Sequence, residues 1–147
     1  MKIIKTPKSN KEFNAYYRFR WEILRKPFNK PEGSEKDELE FSSKHIMLVN
    51  ENDCILGVGR IHFVINNSVK KAQIRYMAVG EKEQKRGYGK KILLELERIA
   101  INNNISNIFL HSRKEAVNFY KKNNYRKVRK THLLFNTIEH WLMEKKV

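Results

Sequence analysis

A glycine loop between an apolar run and an amphipathic run constrains the fold of this chain more than any other stretch does. The loop reads QKRGYG at residues 84–89, the apolar run reads IRYMAV at residues 74–79, and the amphipathic run covers residues 91–100. This order predicts a strand, a loop and a helix in succession. Gly87 and Gly89 have no Cβ, so the backbone there can turn sharply and lie close to a ligand.

The start of the predicted helix has the properties of a phosphate site. It presents unpaired N–H groups and the positive end of the helix dipole, and Lys85, Arg86, Lys90 and Lys91 surround it with positive charge. A pyrophosphate fits this arrangement better than a single carboxylate does. Two other phosphate loops are excluded, because G-x-x-x-x-G-K-[ST] does not occur and G-x-G-x-x-G would need glycine in place of Ile92.

Length and composition limit the class of protein. The chain has 147 residues, so we expect one domain over residues 1–147. Its one cysteine, Cys54, excludes an intramolecular disulfide and a cysteine-based zinc cluster, and we expect it to be a small core residue of a strand. There is no membrane-length apolar run and no apolar signal-peptide core, so we expect a cytoplasmic protein without a membrane partner. We also expect no metal.

The net charge of +15 and the pI of about 10.0 are compatible with a nucleic acid, an anionic membrane surface or an acidic substrate as partner. The alternative is a solvated, lysine-rich surface around an anionic cofactor. Basic residues are scattered along the chain, and their densest cluster, residues 121–130, has neither an RNA-binding signature nor a zinc finger. We therefore favour the solvated surface and expect no nucleic-acid partner.

Periodicity and turn residues predict the remaining elements. Ser9 and Glu12 form a capping box before the first helix, Ser112 is expected to cap the third helix, and Glu97 is expected to point away from the core. We expect helices over residues 10–25, 91–100 and 113–122, and strands over residues 45–49, 54–64, 72–79, 105–110, 125–131 and 139–143.

Two motifs resemble the GNAT N-acetyltransferase superfamily. Residues 84–89, after a strand that ends in Met-Ala-Val, resemble its acetyl-coenzyme A loop, [QR]-x-x-G-x-[GA]. Residues 116–125 resemble its A-x-x-F-Y-x-x-x-G-[FY] motif, with Asn124 in place of glycine; asparagine tolerates positive φ, so this turn should persist. The element order β-α-α-β-β-β-α-β-α-β-β is that of the GNAT fold. The resemblance therefore implies an α+β fold with a central, mostly antiparallel mixed sheet flanked by helices.

The resemblance also implies an enzyme that transfers an acetyl group from acetyl-coenzyme A directly to a primary amine of a small molecule, peptide or protein. In such a fold the strand at residues 76–79 splays from the strand at residues 105–110 and admits the pantetheine arm, and the amide of Ala78 or Val79 polarises the thioester. The residues implied in donor binding are Met77, Ala78, Val79, Gln84, Lys85, Arg86, Gly87, Tyr88, Gly89, Lys90 and Asn118.

Tyr120 matches the tyrosine that many members use as general acid toward the thiolate, and a phenol of pKa near 10 suits that role; the alternative is core packing beside Phe119. No general base is identified, because Gln73 and Arg75 stand where some members have a glutamate. A water relay near Glu38, His45, His62 or His111 is one route.

Residues 26–43 hold five of the sixteen acidic residues. In the GNAT fold this region covers the acceptor side, so an acidic cover would suit a cationic amine or a basic peptide N-terminus. The alternative is a solvated helix over residues 34–41 with acid in its first turns. The residues that we place on the substrate side are Glu35, Asp37, Glu38 and Arg75.

Two other functions remain open. One is a coenzyme A-binding sensor or partner protein with weak catalysis. The other is an acetyltransferase that acts on a nucleic-acid-associated basic protein, for which steep salt dependence of nucleic-acid binding would be the sign. Exposed final strands in this fold often pair between subunits, so a homodimer is one of the expected assemblies.

Overall fold

The structure, a computed structural model, describes all of residues 1–147 and has an α+β fold with three α-helices and one seven-stranded sheet. In chain order the elements are β1 (Ile3–Lys5), α1 (Asn10–Leu24), β2 (Lys44–Val49), β3 (Ile55–Asn66), β4 (Val69–Val79), α2 (Tyr88–Asn102), β5 (Asn107–Arg113), α3 (Val117–Lys122), β6 (Arg126–Leu134) and β7 (Ile138–Lys146). No helix is long and apolar enough to cross a membrane.

The strand order in the sheet is β1-β2-β3-β4-β5-β7-β6. Antiparallel pairing joins β1 to β2, β2 to β3, β5 to β7 and β7 to β6. The parallel pair is β4 with β5, where residues 72–74 lie opposite residues 108–110. The sheet is therefore mixed and mostly antiparallel, as the resemblance implied. The expected splay of residues 76–79 stays a prediction.

The chain forms two compact units, and the first contains residues 1–62 and 76–96. Its α1 begins with the expected capping box, in which the Ser9 hydroxyl accepts from the Glu12 amide at 3.0 Å. The buried face of α1 packs Tyr16 against Met47, Val49, Val58 and Ala78 of β2, β3 and β4. The aromatic face of α1 thus forms part of the core of the first unit.

The second unit contains residues 63–75 and 97–147. Its buried apolar residues include Ile108, Leu110 and Met143. Glu97 is also buried, contrary to our expectation: its carboxylate accepts a hydrogen bond from the Tyr125 hydroxyl at 2.8 Å and pairs with Lys145 at 3.1 Å. Glu97 is buried because its carboxylate contacts the Tyr125 hydroxyl and the Lys145 ammonium instead of water.

Three further expectations were wrong. Residues 34–41 form successive turns and no helix, because their carboxylates bond to backbone amides and to arginines outside the segment. Cys54 is exposed and precedes β3, in a turn where its amide donates to the Asn50 side chain. Ser112 lies in β5 and does not cap a helix: its hydroxyl donates to the Arg113 carbonyl, and α3 begins only at Val117.

The turn at Asn124 formed as expected. Asn124 replaces the family's glycine and has a φ of 72°, and Asn104 has a φ of 60° after the end of α2. Asn67 and Ser68, both with positive φ, form the turn between β3 and β4. Two consecutive residues of positive φ match the twist of an antiparallel hairpin.

Candidate functional site

The glycine loop of the first unit joins the end of β4 to the start of α2. Lys85 and Gly87 have φ values of 64° and 82°, so the chain turns twice before the helix begins. The first hydrogen bond of α2 runs from the Lys91 amide to the Gly87 carbonyl at 3.2 Å. The amides of residues 88–90 therefore lie at the helix start without partners in the helix ladder.

The surroundings of the loop suit an anion. Gly87 is exposed, and a Cβ built on it would meet no heavy atom within 4 Å. Lys85, Lys90 and Lys91 are exposed, and Arg86 contacts Glu83 at 3.3 Å in an exposed pair. Such a pair contributes little to stability, so Arg86 can exchange Glu83 for a ligand phosphate. Open backbone, unpaired amides and four cations together fit a pyrophosphate.

Two neighbouring residues fix the loop to the first unit. The Gln84 side-chain amide lies 3.5 Å from the Val79 carbonyl, at the end of β4. Tyr88 is buried at the start of α2, with the Lys2 ammonium 5.8 Å from its ring centre. These contacts attach both ends of the loop to ordered elements while its middle stays exposed.

The glycines of β3 explain how α2 packs against the strand end. A Cβ on Gly57 would lie 2.6 Å from Ile92 Cδ1 and 3.1 Å from the Ala78 carbonyl oxygen, and one on Gly59 would lie 2.8 Å from Ile92 Cγ2. A side chain at either position would require Ile92 to shift, so the two glycines allow the close approach that glycine inside a strand indicates. They bring the beginning of α2 near the predicted donor strand.

Tyr76 has an unusual conformation immediately before Met77, Ala78 and Val79. Its φ is 57°, although it lies inside β4 and is an aromatic residue. Left-handed backbone is rare for such a residue and commonly marks a functional region. The strained position therefore lies directly beside the three strand residues that we predict to bind the donor.

Residues 26–43, the acidic segment, contact two buried arginines. Asp37 binds Arg60 with both carboxylate oxygens, at 2.6 and 3.1 Å. Glu40 binds Arg60 at 2.7 Å through one oxygen and Arg20 at 3.0 Å through the other. Burial by itself lowers the pKa of Arg60, but its hydrogen bonds to Asp37 and the charges of Asp37 and Glu40 outweigh that effect and raise it. These carboxylates neutralise charges inside the first unit.

A histidine and a tyrosine continue this network. The Tyr16 hydroxyl lies 2.8 Å from His45 Nδ1, and His45 Nε2 lies 2.8 Å from the Glu40 carbonyl oxygen. Burial lowers the pKa of His45, so its ring is neutral at pH 7. A neutral ring satisfies both contacts when Nε2–H donates to Glu40 and Nδ1 accepts from Tyr16. The ring is therefore committed to structural hydrogen bonds.

The residues that we placed on the substrate side differ in burial and in partners. Glu35 is buried and accepts from the Gly33 amide at 2.7 Å, and Asp37 holds Arg60. Glu38 is exposed in the first unit, whereas Arg75 is exposed in the second. Sequence reasoning did not assign Arg20, Glu40, Arg60 or Tyr76. The available signal was an arginine at an apolar position, since Arg20 follows Tyr16 by four residues and Arg60 alternates with Val58.

Tyr120 lies in α3 of the second unit. It is buried, burial raises the pKa of its hydroxyl, and its ring centre is 5.1 Å from that of Phe119 and 5.7 Å from that of Tyr125. Asn118 is exposed on the same helix. These contacts agree with core packing of the ring, and the role of Tyr120 in catalysis stays a prediction.

Comparison with known proteins extends over nearly the whole chain. Residues 13–125 match the family described as the acetyltransferase (GNAT) family. A Bacillus subtilis protein described as the uncharacterized N-acetyltransferase YjcF is 31% identical over 132 residues, which are 90% of this chain and 90% of that protein.

Solved structures show the same fold. A GNAT-family acetyltransferase of Staphylococcus aureus Mu50 has a TM-score of 0.76 at 19% identity, covering 99% of both chains. An aminoglycoside 6′-N-acetyltransferase complexed with coenzyme A has a TM-score of 0.79 at 13% identity, covering 98% of this chain and 96% of that one.

Proposed function

Because the chain belongs to the GNAT acetyltransferase family, we propose that its glycine loop holds the pyrophosphate of acetyl-coenzyme A and that its acceptor is a primary amine. The protein is an N-acetyltransferase that uses acetyl-coenzyme A as donor. The main support for the loop is the exposed Gly87, whose φ of 82° and open surroundings leave the amides of the α2 start accessible. The acceptor is a small molecule, a peptide or a protein.

The reaction requires few groups from the chain. The primary amine loses its ammonium proton to water, its nitrogen forms a bond to the acetyl carbon, and the carbon–sulfur bond breaks. The nitrogen then releases a second proton to water, and the sulfur leaves as a thiolate that takes up a proton. We propose that the Ala78 or Val79 amide polarises the thioester carbonyl and that Tyr120 donates the proton. The Tyr120 phenol, whose pKa burial raises further above neutrality, is protonated at neutral pH, which is the form that a general acid needs.

Fewer carboxylates of the acidic segment are open to a cationic acceptor than its composition suggests. Glu35 and Asp37 already have partners inside the first unit. Glu38 is exposed, and Phe41 in the same turns is fully exposed as well. We propose that Glu38 and Phe41 contact the cationic amine and its carbon skeleton. The proposal that Arg75 also faces the acceptor rests on the resemblance alone.

A matched pair of substitutions at Gly87 tests the donor site. Asparagine and aspartate both tolerate positive φ, and the open space at this position has room for either. The two variants therefore differ mainly in charge. We expect Gly87→Asp to bind acetyl-coenzyme A about tenfold to a hundredfold more weakly than Gly87→Asn, because a carboxylate near the pyrophosphate repels it.

Calorimetric titration of acetyl-coenzyme A into the wild type and both variants measures this difference. Equal affinities for the two variants would contradict the loop as the pyrophosphate site, and absence of binding to the wild type would contradict the donor site as a whole. A screen of polyamines, amino acids and peptides, followed by detection of released thiol, would then identify the acceptor.

The setting of the enzyme is also a proposal. We propose that residues 1–147 act as one acetyltransferase domain in the cytoplasm. We further propose a homodimer, supported by β6, which lies at the end of the strand order and is exposed along most of its length. Unpaired edge strands are the usual sites of strand pairing between chains.

A further inference from the structure

A cluster of buried charges surrounds the strained Tyr76, and the proposed donor site does not use it. The guanidinium carbons of Arg20 and Arg60 lie 4.4 and 4.9 Å from the centre of the Tyr76 ring. Both arginines are 0% exposed. The ring therefore contacts two cations that have no access to water, which is where attraction between a cation and an aromatic ring is strongest.

The outer nitrogens of the two arginines are held by hydrogen bonds. One carboxylate, Glu40, bridges them, and Asp37 adds a two-oxygen contact to Arg60. Arg20 also donates to the Tyr16 hydroxyl at 2.8 Å. By contrast, the Nε atoms of both arginines are buried without a hydrogen-bond partner. A buried unpaired N–H is unfavourable, so these two guanidinium groups pack against the ring without full hydrogen bonding.

The Tyr76 ring connects the two arginines to the backbone of β4. A tyrosine of positive φ persists only when its surroundings over-determine that conformation. The two guanidinium groups fix the Tyr76 ring, and the ring fixes the backbone from which Met77, Ala78 and Val79 continue. Asp37 and Glu40 fix the arginines in turn, so the acidic segment acts on β4 through them.

We propose that Arg20 and Arg60 are positioning residues, which by packing on Tyr76 hold β4 in the conformation that presents residues 77–79 to the acyl-pantetheine arm. This inference rests on the proposed donor-binding role of those three residues. It gives the carboxylates of Asp37 and Glu40 a function in donor binding and removes them from direct contact with the acceptor.

Two ligands separate positioning from general stability. Acetyl-coenzyme A requires both the loop and residues 77–79, whereas its fragment 3′-phospho-ADP ends at the pyrophosphate and requires only the loop. The test variants are Tyr76→Leu, which removes the aromatic face but keeps apolar bulk, and Tyr76→Phe, which keeps the face. Calorimetry with both ligands on wild type and variants measures the effect.

We expect Tyr76→Leu to bind acetyl-coenzyme A about tenfold more weakly and 3′-phospho-ADP as the wild type does, because the cation–ring contacts with Arg20 and Arg60, and a longer one with Arg25 at 5.7 Å, are lost. Tyr76→Phe should retain wild-type affinity for both. Equal loss of both ligands in Tyr76→Leu, or no loss of either, would overturn the inference. A wild type that binds neither ligand would overturn the proposed donor site and this inference with it.

An arginine variant keeps the test decisive if Tyr76→Leu does not fold. Arg60→Lys retains the buried charge, but lysine cannot bind both Asp37 oxygens while lying flat on the ring. It should lose acetyl-coenzyme A affinity selectively, as Tyr76→Leu does. A matched control is Arg18→Lys in the exposed pair with Glu32, at 2.9 Å, which should change neither affinity. Wild-type affinity of Arg60→Lys for acetyl-coenzyme A would contradict the positioning role.

Discussion

Positive φ at residues other than glycine occurs in two kinds of place in this protein. Ten such residues are present, and five of them are asparagines in loops or turns, where the side chain tolerates this conformation. Tyr76 is the one within a strand, and Lys85 precedes the glycine at the start of α2. Tyr76 lies at the start of the predicted pantetheine strand, and Lys85 lies in the predicted pyrophosphate loop. Two of the residues with positive φ that are not asparagines thus lie where donor binding is proposed.

At the same scale, Tyr120→Phe tests the general acid. The substitution keeps the buried ring and its contacts with Phe119 and Tyr125 but removes the proton. We expect kcat to fall by about a hundredfold, the usual contribution of general acid catalysis, with unchanged affinity for acetyl-coenzyme A. Thiol release with an amine from the acceptor screen gives kcat, and calorimetry gives the affinity.

The pH dependence of wild-type kcat provides a second test of this role. Because burial raises the pKa of Tyr120, its phenol stays protonated from acidic pH through neutral pH. Wild-type kcat should therefore show no loss attributable to Tyr120 until well above the ordinary tyrosine pKa of about 10. If Tyr120→Phe has the same kcat as the wild type, Tyr120 is not the general acid and its function is core packing.

Among the elements, α2 has two different roles along its length. Its first turns approach β3 because Gly57 and Gly59 have no Cβ, which places the amides of the helix start at the glycine loop. In its second half, Glu97 accepts from the Tyr125 hydroxyl and pairs with Lys145 of β7. One end of the helix thus serves the proposed donor site, while the other is anchored by a polar contact.

Glu97→Gln tests this anchor. Glutamine can still accept from Tyr125 but loses the charge opposite Lys145, so we expect the free energy of unfolding to fall by about 1–3 kcal/mol. The partial exposure of Lys145 places the expected value toward the lower end. Denaturant unfolding measures the change. The exposed Glu115 offers a matched control, since Glu115→Gln should change stability by less than about 0.5 kcal/mol; equal effects of the two substitutions would contradict the anchor.

At the scale of the whole molecule, the net charge of +15 is compatible with a nucleic-acid partner. Within the basic cluster at residues 121–130, Arg126 contacts Glu144, Lys130 contacts Glu139 and Lys127 lies 4.5 Å from the Trp141 ring centre. These residues therefore have partners on β7 that phosphates would have to replace. This arrangement agrees with a solvated basic surface.

We accordingly expect weak, sequence-independent binding of duplex DNA and of RNA at about 50 mM salt and negligible binding at about 150 mM, because each phosphate contact releases a counterion. Fluorescence anisotropy at the two salt concentrations measures this. Binding that persists at the higher concentration would support the alternative acceptor, a nucleic-acid-associated basic protein.

The features that the sequence by itself determined are those that depend on neighbours a few residues apart. The capping box of α1, the glycine loop before α2 and the left-handed turn at Asn124 all formed where they were expected. Helix periodicity and strand alternation likewise placed nearly every element and, with two motifs, indicated the family. Capping, dihedral preference and amphipathic spacing act locally, so they can be read without knowing the fold.

Only the tertiary structure decided the environment of the charged residues. The partners of Arg60 lie 20 and 23 residues away, and those of Glu97 lie 28 and 48 residues away. Helical spacing therefore indicated an exposed Glu97, and the acidic composition of residues 26–43, taken with the family resemblance, indicated an acidic cover for the substrate. Whether a charge is solvated or buried depends on which opposite charge the fold brings within hydrogen-bond distance, because an unpaired buried charge is prohibitively unfavourable.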